Sequence, residues 1–464
     1  MTLAPVSPAT AASLATSRLV RLLDHDAVLH EEAQGVVVMT GSVSGTPVVA
    51  FATDSSVQGG AMGIDGCRAI AEATDLAVLN GIPIIGIWHS GGARLREGVS
   101  ALHAVAQVFT AQTRASGRVP QLSVVLGPAA GGAAYGPALT DIVILGPEGR
   151  VFVTGPDVVR RVTGEDVDML RLGGPDPHGR RSGVVHVVSD TDEDALDSAR
   201  KIAVLLHTQG AVDLDRIPGR PDPSRTLPGD PRRAYDMRPI VTDILDEPGL
   251  ELQGRWAPNV LTVLGRIGGR TVGVVANNPL RLGGCLDAAS GEKAARFVRM
   301  CDAFGVPLLF LVDVPGYLPG VGQEWDGVVR RGAKLLHAYA AASVPRVTVV
   351  VHKSFGGAYI AMGSKGLGAD AVYAWPGAQI DVMGATAAVE VLHRRELAVL
   401  EGEARVEAVN RLAAVHAEET GGLQRAVDSG VVDAIIEPAD SRAMIAALLA
   451  QARPVRGLNA NIPL

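Results

Sequence analysis

The 464-residue chain is long enough for two or three domains with sizeable hydrophobic cores. Its net charge of −7, with no basic stripe, disfavours nucleic-acid binding, and no apolar run reaches the length of a membrane span. Three widely separated cysteines without a CxxC motif argue against a zinc site and a disulfide framework, and they favour a reducing, cytoplasmic location.

The first 145 residues alternate between strand-like and helix-like patterns. The predicted elements are, in chain order, a β-hairpin over 35–53, a helix over 65–80, a buried strand over 82–88, a helix over 99–113 and a strand over 142–145. This alternation predicts an α/β fold with a mostly parallel sheet.

Between the last predicted helix and strand of this series lies a glycine-rich turn. The apolar run Leu122 to Leu126 is typical of a buried strand, and the small residues from Gly131 to Gly136 that follow it can begin a helix. A strand that turns tightly into a helix leaves backbone N–H groups free at the positive end of the helix dipole. Such amides can bind an anion or a developing oxyanion, although a Gly-Gly pair after a strand more often reflects close packing.

The same stretch occurs again later in the chain. Gly59–Gly60 is repeated as Gly283–Gly284 at an offset of 224, and after one inserted residue Gly131–Gly132 is repeated as Gly356–Gly357 at 225. Because a common register extends over about ninety positions, we interpret it as the duplication of one fold unit. The stretch 210–239, rich in proline and glycine, is predicted to be the linker. The expected domains are residues 1–225 and 226–464.

Each half therefore offers two junctions between a strand and a glycine turn. They are Ser90-Gly91-Gly92 and Gly131-Gly132 in the first half, and Pro315-Gly316 and Gly356-Gly357 in the second. Two homologous sites suggest two reactants, each with a carbonyl oxygen that gains negative charge. Loss of one oxyanion donor typically costs about 3–4 kcal/mol of transition-state stabilisation, so backbone amides alone can account for the chemistry.

Side-chain candidates for catalysis are few. The sequence contains no GxSxG, HExxH or GxxxxGK[ST] motif. His89 and His352 lie near the glycine turns, but a packing role is favoured over that of a general base. Asp141 and Asp370 follow the turns, and we expect them to cap backbone groups. The charge-patterned stretch 391–421 is predicted to be helical.

Several longer motifs resemble a known family. They are SGGARLREGV at 90–99, GPAAGGAAYGPALTD at 127–141, FVTGPDVV at 152–159, VDVPGYLPG at 312–320, RRGAKLLHAYA at 330–340 and SFGGAYIAMGSK at 354–365. Together they resemble the carboxyltransferase (β) subunit of biotin-dependent acyl-CoA carboxylases. The similarity covers nearly the whole chain and is greatest to actinobacterial acetyl-/propionyl-CoA carboxylase β subunits.

The resemblance implies a fold, an assembly and a pair of catalytic turns. It implies two homologous crotonase-like (ClpP/crotonase) domains, and a homo-hexamer, a dimer of trimers, in which the first domain of one subunit faces the second domain of another. The amides of Gly131 and Gly132 are expected to hold the thioester oxygen of acyl-CoA as it becomes an enolate. The amides of Gly357 and Ala358 are expected to hold the ureido oxygen of biotin.

The resemblance also implies the reaction and its partners. The carboxyl group moves from carboxybiotin to the α carbon of acetyl-CoA or propionyl-CoA, which gives malonyl-CoA or methylmalonyl-CoA. The chain has no Met-Lys-Met biotinylation site and no ATP-binding signature. Biotin is therefore expected on a partner α subunit that supplies biotin carboxylase and carrier functions, and no metal is expected on this chain. The further binding residues implied are Ser90, Gly91, Gly92, Ala93, Tyr135, Gly316, Tyr317, Gly356 and Ile360.

Ile360 has a separate implication, because in the family this position faces the acyl pocket. An apolar residue there suggests that acetyl-CoA and propionyl-CoA are both accepted, since one methylene is worth only about 1–3 kcal/mol in such a pocket. Two alternatives stay open: a non-catalytic assembly subunit, and a decarboxylase-type carboxyltransferase that runs the reverse reaction. A crotonase-like hydratase is less favoured because no paired carboxylates stand beside the turns.

Overall fold

Two eight-stranded sheets, one in each half, organise the computed structural model, which describes residues 13–219, 221–230, 233–419 and 422–463. The strands of the first sheet are β1 (Val28–Ala33), β2 (Val36–Val43), β3 (Thr46–Thr53), β4 (Ile84–Ser90), β5 (Gln121–Ala130), β6 (Ile142–Leu145), β7 (Arg150–Phe152) and β8 (Val187–Val188). The strands of the second are β9 (Leu250–Leu252), β10 (Val260–Ile267), β11 (Arg270–Asn277), β12 (Leu308–Val314), β13 (Arg346–Phe355), β14 (Ala371–Ala374), β15 (Gln379–Asp381) and β16 (Ala434–Ile435).

Helices connect and cover these strands. In chain order they are α1 (Leu14–Leu22), α2 (Ile64–Asn80), α3 (Val99–Ala115), α4 (Gly132–Ala138), α5 (Pro156–Thr163), α6 (Met169–Gly173), α7 (Pro175–Pro177), α8 (Asp192–His207), α9 (Arg238–Ile244), α10 (Ala288–Phe304), α11 (Val321–Trp325), α12 (Val328–Ala341), α13 (Gly356–Ala361), α14 (Ala385–Leu392), α15 (Arg394–Leu397), α16 (Gly402–Glu419), α17 (Gly422–Asp428) and α18 (Ser441–Gln451).

The two sheets have the same topology, which confirms the predicted α/β fold and its duplication. The order β1-β2-β3-β4-β5-β6-β8, with β7 beside β5, matches β9-β10-β11-β12-β13-β14-β16, with β15 beside β13. An antiparallel hairpin opens each sheet, and parallel strands follow. The isolated bridges Met62–Ala93 and Leu286–Tyr317 are related by the offset of 224 found in the sequence.

Local sequence explains why these elements begin and end where they do. The strands β4, β5 and β12 to β14 each contain a buried, mostly apolar run, as expected for parallel strands covered by helices on both faces. The matching helices α2 and α10 end at Gly81 and Gly305, whose φ angles of 65° and 73° need glycine. The side chain of Asp287 accepts a hydrogen bond from the Ser290 amide and caps α10.

Two local expectations need correction. Strand β1 was not predicted, because its sequence VLHEEA has no clear apolar alternation. The stretch 391–421 is not one helix: α14, α15 and α16 are separated at His393 and at 398–401, and residues 420 and 421 lie outside the described part. The apolar side chains of these helices form a small cluster of their own that includes Val389, Leu397 and Val409.

Segments from each half cross to the other. In the linker, the Asp213 amide donates to the Gly268 carbonyl of the second half. In the C-terminal tail, Arg456 donates to the Gly117 carbonyl of the first half, and the Asn461 side chain donates to buried Asp141 at 2.6 Å. The domain boundary at residues 225 and 226 stays a prediction. These hydrogen bonds show that the two halves contact each other directly.

Candidate functional site

The first predicted turn lies at the carboxyl edge of the first sheet. Strand β5 ends at Ala130 between β4 and β7, where Ser90 pairs with Ala129 and Phe152 pairs with Ala130. Gly131 then adopts a φ of 58°, a left-handed conformation that strains any other residue, and α4 begins at Gly132. The chain therefore passes from strand to helix within one residue, which places the first amides of the helix at the end of β5.

The second turn has nearly the same geometry. Strand β13 ends at Phe355 between β12 and β15, and Gly356 has a φ of 59°. A Cβ atom at Gly356 would lie 3.1 Å from the carbonyl oxygen of Val382, the residue after β15, so this contact also favours glycine here. The predicted repeat at an offset of 225 therefore holds for the backbone conformation as well as for the residue types.

The free amides of the first turn differ by one residue from the sequence-based expectation of Gly131 and Gly132. The Gly131 amide donates to the Phe152 carbonyl at 3.2 Å. In the described part of the chain, the amides of Gly132 and Ala133 have no backbone acceptor, as expected for the first turn of a helix. By the offset of 225 these two amides correspond to those of Gly357 and Ala358 in the second half.

The glycine loops after β4 and β12 lie beside these turns. Gly92 and Gly316 accept equivalent hydrogen bonds from Met62 and Leu286, at 2.8 and 3.0 Å. A Cβ atom on Gly92 would lie 3.0 Å from the Ala130 carbonyl, so the loop Ser90-Gly91-Gly92-Ala93 packs directly against the end of β5. The structure thus places the loop 90–93 beside the first turn, and the equivalent pairing of Val314 with Ser354 places the loop at Gly316 near the end of β13.

Tyr135 and Ile360 occupy the same position on the short helices that follow the two turns. They are related by the offset of 225, and their exposed fractions are 51% and 44%. Tyr317, in contrast, turns its ring toward Gly332 of α12, and burial raises the pKa of its hydroxyl. Tyr135 and Ile360 are therefore available to a ligand at the edge of the sheet. The Tyr317 side chain instead packs against α12.

A cavity of about 660 Å³ opens at the second turn. Its wall includes Gly356, Gly357 and Ile360 from the turn and α13, and the apolar residues Ile380, Val382 and Val431 from two later segments. All of its lining residues come from the second half. Such a volume is within the range of small-ligand sites, and its mostly apolar wall leaves the turn amides as polar groups that can orient a ligand.

Sequence reasoning missed several residues that line this cavity. They are Tyr359, Asp381, Arg425 and Ser429, together with the apolar residues of the same segments. Tyr359 follows the repeated Gly-Gly-Ala sequence, so its place in the motif was a usable signal. Burial raises the pKa of its hydroxyl. Asp381 is the one carboxylate among the lining residues, so the paired carboxylates of a hydratase are not found here.

The other titratable candidates are part of the supporting structure. The carboxylates of Asp141 and Asp370 accept the first amides of β5 and β13, at 2.8 and 2.7 Å, which confirms the expected capping roles. His89 lies against Gly127, and burial together with the nearby Arg18 lowers its pKa. His352 lies 3.5 Å from buried Asp313, which also accepts a hydrogen bond from the Tyr235 hydroxyl.

Within the described ranges, no cluster of three or more potential metal-ligating side chains occurs. No helix there is both long enough and apolar enough to cross a bilayer.

Comparison with known proteins finds one family over most of the chain. Residues 18–454 match the model of the carboxyl transferase domain. The chain is 57% identical over 453 residues to the biotin-dependent acetyl-/propionyl-coenzyme A carboxylase beta6 subunit of Mycobacterium tuberculosis, with 96% of each chain covered. It is 55% identical to the propionyl-CoA carboxylase beta chain of Rhodococcus erythropolis, with 93% of this chain and 92% of the relative covered.

A solved structure has the same architecture. The transcarboxylase 12S crystal structure, described as a hexamer with methylmalonyl-coenzyme A bound, superposes with a TM-score of 0.89 at 37% identity. The match covers 98% of this chain and 94% of the other. This similarity confirms the expected fold of two crotonase-like domains in one chain.

Proposed function

The chain belongs to the carboxyl transferase domain family, and from that we propose that it moves the carboxyl group of a biotin carried on another subunit to the α carbon of acetyl-CoA and propionyl-CoA. Its class, the carboxyltransferase of an acetyl-/propionyl-CoA carboxylase, follows from the family match and from relatives of 55–57% identity. The products are malonyl-CoA and methylmalonyl-CoA. The observation that supports the chemistry is the matched pair of glycine turns with free helix amides.

The turn of the first half is proposed as the acyl-CoA side. The Gly132 amide is free, and the Gly131 amide donates to the Phe152 carbonyl at the long distance of 3.2 Å. Exchange of that weak bond for a thioester oxygen would give two donors, and both would be strengthened as the oxygen gains charge. Tyr135, exposed on the next helical turn, and the loop 90–93 would border the bound acyl group.

The turn of the second half is proposed as the biotin side, and the residues there fit a cyclic urea fused to an apolar ring. The exposed Gly357 amide and its neighbour Ala358 can donate to the urea oxygen, while Ile360, Ile380 and Val382 offer apolar contact. When bound, the carboxylated group supplies the carboxyl carbon and then a base for the α proton. The chain itself contributes the oxyanion donors, the apolar enclosure and the orientation of both reactants.

Assembly is part of the proposal, because all of the residues that line the cavity of the second half come from that half. We propose that a homo-hexamer, a dimer of trimers, brings the acyl-CoA turn of one subunit to the biotin turn of another. The 12S relative is described as a hexamer. The donor is proposed to be a biotinylated α subunit with biotin carboxylase activity.

Reconstitution tests this function directly. The protein is mixed with a biotinylated α subunit, ATP and bicarbonate, and the carboxylated products from acetyl-, propionyl- and butyryl-CoA are quantified. We expect turnover with the two shorter substrates and weaker turnover with butyryl-CoA. Product formation from none of the three with a functional α subunit would contradict the proposal. Decarboxylation of methylmalonyl-CoA in the same mixture measures the reverse direction.

A further inference from the structure

A second cavity, of about 360 Å³, lies between α10, α12 and the C-terminal tail, and none of its lining residues belongs to a glycine turn. Five basic side chains line it: Arg296 and Arg299 from α10, and Arg330, Lys334 and His337 from α12. The three on α12 follow an i, i+4, i+7 spacing, so they share one helical face. A concentration of basic groups around one cavity is unusual in a chain with a net charge of −7.

Only part of this positive charge is neutralised locally: Arg296 lies 3.9 Å from the Asp141 carboxylate and Lys334 pairs with Glu292, whereas Arg299 and Arg330 have no carboxylate partner in the described residues. Glu292 is the one carboxylate that lines the cavity, and it already accepts bonds from Arg331 and Lys334. In the described part of the chain, Arg330 has no hydrogen-bond or ion-pair partner. Within the described ranges, Arg299 donates to the Ala460 carbonyl and forms no ion pair with a carboxylate. The local field therefore favours an anion.

Two buried donors in the lining side chains also lack an acceptor. The guanidinium of Arg296 is 6% exposed, and its Nη1 has no hydrogen-bond partner in the described part. The Nε atom of Arg299 is likewise buried and unpaired there. Buried N–H groups without acceptors are costly, so the protein itself satisfies the guanidinium groups of Arg296 and Arg299 only in part.

The internal duplication supplies a control for this surface. The positions equivalent to Arg296 and Arg299 in the first half are Glu72 and Asp75, at the offset of 224. There Glu72 accepts from Arg68 at 3.0 Å, and Asp75 accepts from Arg114 at 2.8 Å. The same helix face is thus charge-balanced in one half and cationic in the other, so the fold itself does not require the basic residues.

We propose that the cavity between α10 and α12 is a binding site for an organic phosphate, separate from both glycine turns. Guanidinium groups match the planar, bidentate geometry of phosphate oxygens. The remaining wall, which includes Ala295, Ala333, Ile462 and Pro463, is apolar and offers contact to the body of such a ligand. The volume is sufficient for a molecule of the size of a small nucleotide.

Calorimetric titration of the full-length protein at low ionic strength tests this site, with ADP and inorganic pyrophosphate as separate probes. We expect both to bind, and ADP more tightly because of the apolar wall. The Arg330→Ala variant should weaken ADP binding about tenfold, the typical loss for one charge-assisted hydrogen bond. Arg114→Ala, on the corresponding helix of the first half, should change binding by less than about twofold.

Four results would overturn the proposal. The first is that neither probe binds. The second is that ADP binds equally well to Arg330→Ala, because Arg330 would then not contact it. The third is that saturating propionyl-CoA displaces ADP, because ADP would then occupy the substrate site. The fourth is that Arg330→Ala changes the oligomeric state in size-exclusion chromatography, because the cavity would then be a contact between subunits. Arg299→Met serves as a second variant on the other helix and should weaken ADP binding to a similar extent.

Discussion

Replacement of Gly357 by alanine separates stability from catalysis at the proposed biotin turn. A Cβ atom at this position would have nothing within 4 Å, and its φ is not in the left-handed region. Gly357 lies in the first turn of α13, where alanine is favoured over glycine by roughly 0.5–1 kcal/mol. We therefore expect a protein that folds and assembles normally and is as stable as the original or slightly more stable.

Activity should change in the opposite direction. The new methyl group would project into the cavity beside the amide that is proposed to hold the urea oxygen. A misplacement of about 1 Å between reactants typically costs about a hundredfold in rate, which corresponds to about 2.7 kcal/mol. We expect kcat for propionyl-CoA carboxylation to fall by about that factor, measured in the reconstituted complex.

The matched control is Gly366→Ala. Gly366 is also exposed, is free of neighbours within 4 Å of its Cβ position and lies outside the cavity. It should leave turnover unchanged within about twofold, since surface substitutions of this kind have small effects. If Gly357→Ala retained full turnover while remaining hexameric, the turn amides would not be the oxyanion donors, and the chemistry would have to lie elsewhere.

Three further predictions concern selectivity, folding and pH. Because the proposed assembly brings the biotin turn to the acyl-CoA turn of another subunit, Ile360 would also border the acyl chain. Ile360→Ala should therefore raise the ratio of butyryl- to propionyl-CoA turnover by about tenfold, and an unchanged ratio would show that Ile360 does not contact the acyl chain. Asn461→Ala should destabilise the protein by about 1.5–3 kcal/mol in urea unfolding, because buried Asp141 loses a charge-assisted hydrogen bond; Asn459→Ala is the control. Burial lowers the pKa of His186 to about 3, so its unfolded form gains a proton that the folded form cannot accept, and stability should fall by about 1.4 kcal/mol per pH unit as the pH drops from about 6.5 toward 3. In a His186→Gln variant the free energy of unfolding should fall less steeply with decreasing pH. An identical slope would show that other groups cause the acid sensitivity.

The sequence predicted the turns well because their signals are local. An apolar β-branched run followed by Gly131–Gly132 indicates a strand, a tight turn and a helix, and the repeat at 225 independently indicates the same conformation at Gly356. The bounds of β6 and of α2 agree with the prediction within one residue. The helical and strand periodicities of these segments were strong enough to predict the elements without knowledge of tertiary contacts.

Other features depend on contacts between distant segments and could not be predicted. The cavity wall combines Ile360 with Val382 and Val431, which are brought together by the pairing of β15 with β13 and by the position of α17. Which amides remain free at the first turn depends on Phe152, because its carbonyl is placed by β7. Neither contact has a periodic signal in the sequence.

The crossing of the C-terminal tail has a consequence for how this duplicated chain could evolve. Asp141 of the first half is buried, and the polar groups around it include Asn461 from the tail and Arg296 from α10. A gene split at the linker would leave that carboxylate without either residue whenever the first fragment was made alone. We therefore expect the first half, made alone, to be less stable than the same unit within the whole chain, because its buried carboxylate would lack these partners.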